Sequence, residues 1–428
     1  MKSKRKVVVT GLGMATALGL NVTESWEKAL AGESGIRRLK YPHTEKAPVR
    51  AAGAVAAKDL ERIKQDFPES ASREGEQRTL FALWAAASAL RDAAWINPND
   101  DRDRYGVSLA AGLGINRLED LQRWIKNKNE FDLFLFGKEY AGVHRESIIK
   151  NNSNRASAKV AQEFGLGGPN LTVTTACASA TQAIGLAYRA IVREEADMMV
   201  AGGADSMINP IGLIFFVLLG AAATKGANPA AMCKPFDRRR AGLVMGEGSG
   251  IAILEEEKHA IQRGARIYAE VAGYSSTMDA YRVTAPHPQG IGAEKCMRKA
   301  IEDAALSPQD IDYINAHGTG TKLNDKVETT AIKNVFQTHA YKIDINSSKS
   351  LFGHLLAASG GPEFVFTVLS VQGDVLHPTI NLINPDPKCD LNYVPNVKKT
   401  RRVRTAISNS FGFGGQNASV VVKKYAAN

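Results

Sequence analysis

TTACASA, residues 174–180, places Cys177 where an apolar strand gives way to a helix of small residues. The β-branched run Leu171–Thr174 predicts a buried strand, and Ala178–Ile191 carries Ala, Gln and Leu at helical spacing. Cys177 therefore lies at a helix N-terminus, where free N–H groups and the helix dipole lower the pKa of a thiol. We interpret it as a nucleophile; the alternative is a small buried core residue.

Two histidines further along the chain also follow short apolar runs. His317 comes directly after the run 312–316 and opens a glycine-rich turn, and His354 closes the segment 349–354 after a second such run. Glycines beside both histidines allow a ligand to approach the backbone closely. A cysteine with distant histidines is typical of nucleophilic catalysis assembled by the fold. The three residues together predict an active site.

Composition and charge exclude several classes of protein. The 428 residues are 44% hydrophobic, enough for a large core, and the longest apolar run, Ile211–Ala223, is shorter than the ~20 residues that span a bilayer. The four cysteines show neither metal-ligand spacing nor a disulfide framework, so we expect a cytoplasmic protein without a metal. The net charge of +10 is spread along the chain, which argues against nucleic acid and suits an acidic or phosphate-bearing partner.

Strand-like and helix-like runs alternate, which predicts an α/β fold. Three strand-plus-turn units recur in the same order before and after residue 260, so we infer two βαβ-rich halves. Gly11-Leu12-Gly13 follows the first strand but lacks the third glycine of a dinucleotide-binding fingerprint, so we expect no Rossmann cofactor. The predicted strands are Lys6–Thr10, Tyr105–Ala110, Leu171–Thr174, Met198–Ala201, Ile267–Ala272, Tyr313–Ala316, Ile343–Asn346 and Thr405–Ser408.

Motifs spread over residues 6–423 resemble those of the β-ketoacyl-acyl-carrier-protein synthases, in the synthase I and II branch that uses Cys-His-His. This resemblance implies a thiolase-like fold of two similar halves in five alternating α-β-α-β-α layers. Residues 1–260 would form the half with the cysteine and 261–428 the half with both histidines. The motifs are VVVTGLG 7–13, TACAS 175–179, GGAD 202–205, HGTGT 317–321, KSLFGH 349–354 and NSFGFGG 409–415.

The resemblance also implies a reaction and a partner. Cys177 would take an acyl group from an acyl carrier protein, and the enolate formed by decarboxylation of malonyl carrier would then attack that thioester. His317 and His354 would donate from Nε2 to the developing negative charge. No cofactor is implied beyond the carrier's phosphopantetheine, and the enzyme would be a homodimer.

Further roles follow from the motif positions. Phe413 resembles the residue that gates the acyl chain and contributes an oxyanion N–H, and Lys349 would support the histidines through Glu363, unless that pair is merely structural. Asp325 and Glu328 would be structural supports. The residues expected to bind substrate are Thr319, Thr321 and Thr284 for the pantetheine side and Leu113 and Phe216 for the acyl chain.

Several positions depart from the family pattern. Gly220 stands where relatives carry an arginine near the carrier entrance, and Gln416 replaces a threonine in the last motif. We therefore keep open a second hypothesis, a ketosynthase of type II polyketide or polyene assembly paired with a related subunit. A non-catalytic chain-length subunit is the third, which Cys177 opposes because such subunits lack the nucleophile.

Overall fold

A ten-stranded mixed sheet organises the part of the chain that the computed structural model describes. The described residues are 5–39, 48–73, 77–95, 102–114, 122–127, 130–139 and 152–426. The strands of this sheet are β1 (Val7–Ala15), β2 (Tyr105–Ala111), β3 (Asn170–Val173), β4 (Met198–Asp205), β5 (Gly248–Glu256), β6 (Ala269–Met278), β7 (Tyr313–Asn315), β8 (Asp344–Asn346), β9 (Thr405–Gly412) and β10 (Gln416–Lys423).

The sheet repeats one strand order in its two halves. The first half runs β3-β2-β4-β5-β1 and the second runs β8-β7-β9-β10-β6. In each half the first three strands in that order are parallel, and the strand beside them, β5 or β10, is antiparallel to its neighbours. The halves join where Val7–Val9 of β1 pairs with Ala269–Val271 of β6. The duplicated α/β fold expected from the sequence is confirmed.

The helices are α1 (Val22–Leu30), α2 (Ala57–Asp66), α3 (Pro68–Arg73), α4 (Gln77–Asp92), α5 (Leu133–Glu139), α6 (Arg155–Phe164), α7 (Ser179–Val192), α8 (Pro210–Leu218), α9 (Glu257–Gln262), α10 (Ile291–Asp303), α11 (Lys322–Phe336), α12 (Lys349–Phe352) and α13 (Gly360–Gly373). Small two-stranded sheets pair Arg37–Arg38 with Ala51–Ala52, Ile125–Lys126 with Glu130–Phe131, and Val375–Leu376 with Lys399–Thr400. No helix within the described ranges is both long enough and apolar enough to cross a membrane.

Two buried helices form the central layer of the molecule. Helices α7 and α13 each contact strands of both half-sheets, whereas α4 and α6 cover the outer face of the first half and α10 covers that of the second. The sequence explains this position, because α7 and α13 are rich in small or apolar residues and most of their side chains are buried. Helix, sheet, helix, sheet and helix thus alternate through the molecule.

The sequence missed the corresponding strand in each half, β5 and β10. Both begin with small or polar residues, Gly248-Ser249-Gly250 and Gln416-Asn417-Ala418. The apolar residues of each strand come only after these, so neither segment shows a strand pattern at its start. The other eight strands of the large sheet overlap the predicted ones, but β1 extends to Ala15 rather than Thr10 and β6 to Met278 rather than Ala272.

The first part of the apolar run Ile211–Ala223 forms most of helix α8. Helix α8 begins there with Asn209 as N-cap, whose side chain accepts a hydrogen bond from the Gly212 N–H. Only Gly212 and Phe216 of this helix are buried, and Leu218 is 80% exposed. The helix is apolar on every face but packs on one of them, so only its C-terminal end approaches the active site.

Glycines allow α4 to lie directly on β1. A Cβ on Gly13 would stand 2.0 Å from the carbonyl oxygen of Ala85 and 2.7 Å from the N–H nitrogen of Ala89. Both obstacles are helix backbone, which a rotamer change cannot relieve. The outer helix therefore depends on Gly13 for its distance from the sheet.

We expect Gly13→Ala to lower the free energy of unfolding by about 3 kcal/mol, because overpacking against backbone forces the helix from the sheet. Gly137→Ala is the matched control, since a Cβ on this exposed helical glycine would meet nothing within 4 Å. The midpoints of urea unfolding compare the two variants. Equal midpoints would contradict the packing argument.

Candidate active site

Cys177 lies on a strained turn between β3 and α7. Ala176, the residue before it, has φ 49°, which L-residues rarely adopt. The Ser179 hydroxyl holds the turn by accepting from the Thr175 N–H at 2.7 Å and donating to the Ala176 carbonyl at 2.6 Å. A Cβ on Gly412 would stand 3.0 Å from the Cys177 nitrogen, so a second backbone segment lies against the nucleophile.

His317 opens the turn that follows β7. Glu328 accepts the backbone N–H groups of His317 and Gly318 at 2.8 Å each, one on either carboxylate oxygen. Gly318 has φ 41°, so its position suits glycine. Asp325 supports the same loop by accepting from the Gly320 N–H at 3.2 Å. The two acids therefore act on the backbone that carries the histidine.

His354 follows α12, and its ring is held through Nδ1. The Leu356 N–H donates to Nδ1 at 3.0 Å, and the Ser359 hydroxyl lies 2.7 Å from the same atom. Gly353, with φ 81°, makes the turn into this segment. Ser359 was not among the residues that the sequence singled out.

The fold brings the three residues together. The Cys177 sulphur and one ring nitrogen of each histidine lie within 4.8 Å of one another. The two imidazoles meet edge to face, with centroids 5.3 Å apart and planes at 84°. All three side chains are buried. The first half thus supplies the thiol and the second half both imidazoles.

The hydrogen bonds fix the tautomer of each histidine. Lys349 Nζ lies 3.2 Å from His317 Nδ1, and because lysine ammonium only donates, that nitrogen must accept. His354 Nδ1 likewise accepts from a backbone N–H. Burial lowers the pKa of both histidines well below its usual value, and the charge of Lys349 adds to the effect. Both rings are therefore neutral and carry their hydrogen on Nε2; that of His354 has no hydrogen-bond partner among the described residues.

Burial also corrects the expectation of a low thiol pKa. It raises the pKa of Cys177 to about 11, although Lys349 and a hydrogen bond from the Phe413 N–H act in the opposite direction. The N-terminus of α7 does not lower the Cys177 pKa enough to offset this desolvation, because the helix begins at Ser179, two residues after the cysteine. Cys177 is a thiol in the resting enzyme.

Lys349 pairs with Glu363 in the interior. Both side chains are fully buried, and the lysine also bonds His317. Burial raises the pKa of Glu363 to about 7, and the charge of Lys349 opposes that rise. One oxygen of the Glu363 carboxylate has no hydrogen-bond partner among the described residues. Glu363 therefore holds the Lys349 ammonium in position, and Lys349 in turn holds the imidazole of His317.

A cavity of about 340 Å³ opens above these residues. Thr319 and Thr321 lie on its wall with their hydroxyl oxygens 2.9 Å apart, and Thr284 and Phe413 line it as well. The wall also includes apolar side chains at Leu219, Ala221, Leu243 and Phe411. The structure therefore brings the expected pantetheine and gate residues to one cavity with the triad.

The two expected acyl-chain residues do not line this cavity. Leu113 follows the end of β2 and is 57% exposed in the single chain. Phe216 is buried in an apolar cluster with Met207, Leu243 and Leu356, and Phe413 packs against that cluster. Phe216 thus lies behind the wall of this cavity rather than on it, and the acyl-chain role of Leu113 stays a prediction.

Asp279 was not among the residues that sequence reasoning singled out. Its carboxylate accepts from the Asn417 side chain at 2.7 Å and the His287 N–H at 2.9 Å, and its own N–H donates to Gly415 at 2.8 Å. Asp279 thus ties the Phe413 turn to the end of β6. An acid at a strand end is too common to single out without the fold.

Cysteine and histidine are also zinc ligands, and these three offer atoms close enough to share one ion. Two features of the site oppose this use. The Lys349 ammonium beside His317 repels a cation, and His354 points an N–H rather than a lone pair at the cavity. The arrangement suits an anion better.

Models of two protein domains match the chain. That of the β-ketoacyl synthase N-terminal domain matches residues 4–260 and that of the C-terminal domain matches 268–383. The chain belongs to the β-ketoacyl synthase family. It is therefore an enzyme of the condensing acyltransferase class, and the identification made from its motifs is confirmed.

Curated relatives match over the full length. The chain is 40% identical to 3-oxoacyl-[acyl-carrier-protein] synthase 2 of Synechocystis sp., over 99% of each chain. It is 37% identical to the synthase 2 of Staphylococcus aureus, over 100% of each chain. The synthase 2 of Coxiella burnetii is 36% identical over 98% of this chain and 99% of that one.

Solved structures agree in fold. A type II polyketide ketosynthase, determined with its acyl-carrier protein and bound to the hexaketide, is 34% identical with a TM-score of 0.88, over 99% of this chain and 100% of that one. A β-ketoacyl synthase from Burkholderia phymatum is 30% identical with a TM-score of 0.86, over the same shares. The thiolase-like fold expected from the sequence is confirmed.

Alkylation of Cys177 by iodoacetamide should quicken by roughly tenfold per pH unit from about pH 7 to about pH 10. The thiolate is the reactive form, and its fraction rises with pH below a pKa of about 11. Intact-protein mass spectrometry follows the reaction, and Cys177→Ala corrects for the other cysteines. A plateau below about pH 8 would show that the thiol ionises far more easily than its burial indicates.

Proposed function

We propose that this β-ketoacyl synthase lengthens an acyl chain by two carbons in fatty acid biosynthesis, with Cys177 as nucleophile and an acyl carrier protein as partner. The observation that carries the proposal is the convergence of one thiol and two neutral N–H donors on a single cavity. The relatives named 3-oxoacyl-[acyl-carrier-protein] synthase 2, 36–40% identical over nearly the whole chain, support it.

The first half-reaction transfers the acyl group to the enzyme. The Cys177 sulphur attacks the carrier thioester, a new C–S bond forms, and the pantetheine sulphur departs with the proton that the thiol gives up. Because the resting thiol is protonated, we place its ionisation in the substrate complex, where the departing sulphur becomes available as acceptor. The Phe413 N–H, which donates to the cysteine sulphur, stabilises the thiolate as it forms.

The second half-reaction decarboxylates the malonyl group. The bond between the α-carbon and the carboxylate breaks, carbon dioxide leaves, and the electron pair passes to the thioester oxygen as an enolate. The Nε2–H groups of His317 and His354 donate to this oxygen, and neutral donors fixed in position need no reorganisation. The enolate carbon then attacks the Cys177 thioester, and the cysteine leaves as thiolate.

The remaining assignments belong to the same proposal. Thr319, Thr321 and Thr284 bind the pantetheine arm, which is the only prosthetic group required and arrives with the substrate. Two copies form a homodimer, for which the edge strand β3 and the exposed Leu113 provide surface. The reaction takes place in the cytoplasm, which suits four free cysteines.

The second candidate is a ketosynthase of a type II polyketide or polyene pathway. The structural neighbours favour it, because they include a type II polyketide ketosynthase and the ishigamide ketosynthase/chain length factor. Purification with a second, related subunit and a preference for polyunsaturated or keto-bearing chains would select this candidate. A homodimer that extends saturated chains would select fatty acid elongation.

Cys177→Ser should load an acyl group from acyl carrier protein at least about 100-fold more slowly than the wild type, because an alcohol without a strong base is a poor nucleophile. The mass of the intact protein measures loading. Cys296→Ala, which changes a buried cysteine of α10, is the control and should load normally. Normal loading of Cys177→Ser would remove the nucleophile assignment.

His317→Ala and His354→Ala should each slow malonyl decarboxylation by about 100-fold or more, because one donor to the enolate is lost. Acylation of Cys177 should change by less than about tenfold. Release of labelled carbon dioxide in a single turnover measures the first rate, and His339→Ala, outside the cavity, is the control. A variant that decarboxylates at the wild-type rate would show that its histidine is not a donor.

A further inference from the structure

Asp205 ends β4 with its carboxylate buried behind the active site. It is 2% exposed, and one oxygen accepts from the Ser206 N–H at 2.8 Å. The other oxygen accepts from the Ala357 N–H at 3.0 Å. A Cβ on Gly112 would stand 2.5 Å from that oxygen, so the neighbouring strand end closes over the carboxylate. Asp205 therefore has a single fixed position.

The residue that Asp205 holds belongs to the turn that orients His354. Leu356, directly before Ala357, has φ 52°, a strained conformation for leucine that persists only when its surroundings impose it. The Leu356 N–H donates to His354 Nδ1 at 3.0 Å. Two successive N–H groups are thus bound, one by the histidine and the next by Asp205.

We propose that Asp205 is a positioning residue for His354, holding the strained Leu356 turn so that the ring keeps its hydrogen on Nε2 and presents it to the cavity. This inference rests on the proposed function for its catalytic consequence. Without the carboxylate, Leu356 relaxes toward negative φ and its N–H leaves Nδ1. Nδ1 then keeps only the Ser359 hydroxyl, which can either donate or accept and so selects neither tautomer. A donor displaced by about 1 Å costs on the order of 100-fold in rate.

Asp205→Asn is the test because it keeps the size of the side chain. A carboxamide has one oxygen, so its NH₂ group must face either the Ser206 or the Ala357 N–H. We expect malonyl decarboxylation to fall by about 100-fold while acylation of Cys177 changes by less than about threefold. Ser206→Ala is the matched control. It removes the hydroxyl bond to Glu247 at 2.9 Å but leaves the backbone N–H that Asp205 binds.

The tautomer of His354 gives a readout that a loss of stability alone would not move. In protein labelled with ¹⁵N-histidine, the nitrogen shifts of His354, assigned with His354→Ala, should report Nε2–H in the wild type and in Ser206→Ala. In Asp205→Asn they should report a mixture or Nδ1–H. The melting temperature of each variant shows that the comparison is made on folded protein.

Each outcome bears on one of the two proposals. An unchanged tautomer, or a wild-type rate of decarboxylation in Asp205→Asn, overturns the positioning role. If the wild-type enzyme condenses no acyl group with malonyl carrier, the proposed function fails. The nitrogen shifts of His354 still decide whether Asp205 holds the Leu356 turn. An altered tautomer together with selective loss of decarboxylation supports both.

Discussion

The site depends on hydrogen bonds donated to Nδ1 of two buried imidazoles. A neutral imidazole has one N–H, and whichever group binds one nitrogen decides what the other can do. Lys349 occupies Nδ1 of His317 and a backbone N–H occupies Nδ1 of His354. Both Nε2–H groups are therefore left for the substrate. The Glu363 partner of Lys349 and the Leu356 turn serve this one requirement.

The duplicated fold explains why the reactive groups converge. Cys177 follows β3 and His354 follows β8, and these strands hold the same place in the two half-sheets. The central helices α7 and α13 lie between the halves, so the turns after equivalent strands open toward each other. His317 follows β7. The counterpart of β7 in the first half is β2, which ends at Ala111, and the next residue, Gly112, lies against the Asp205 carboxylate. The first half carries Cys177 and the second half carries both histidines on a common frame.

Periodicity and motif spacing predict most of this arrangement because they report local properties. The strand before Cys177 and the glycines beside the histidines are visible in the sequence, and so are eight strands of the large sheet. Burial depends on the whole fold, and this explains the misjudged pKa of Cys177. Asp205 and Asp279 act through backbone contacts with segments distant in sequence. The motif GGAD includes Asp205, but no local pattern shows which distant backbone groups the two acids bind.

Burial favours neutral forms of the cysteine and the two histidines at the reaction centre. The cysteine is a thiol and both histidines are uncharged, while Glu328, Asp325 and Glu363 lie behind them, bound to N–H groups or to Lys349. A malonyl carboxylate entering such a cavity loses much of its hydration. Decarboxylation releases neutral carbon dioxide and moves the negative charge to the thioester oxygen, which we propose is faced by the two Nε2–H donors. The desolvation that raises the pKa of the Cys177 thiol therefore also favours malonyl decarboxylation, which forms the enolate that makes the new carbon–carbon bond.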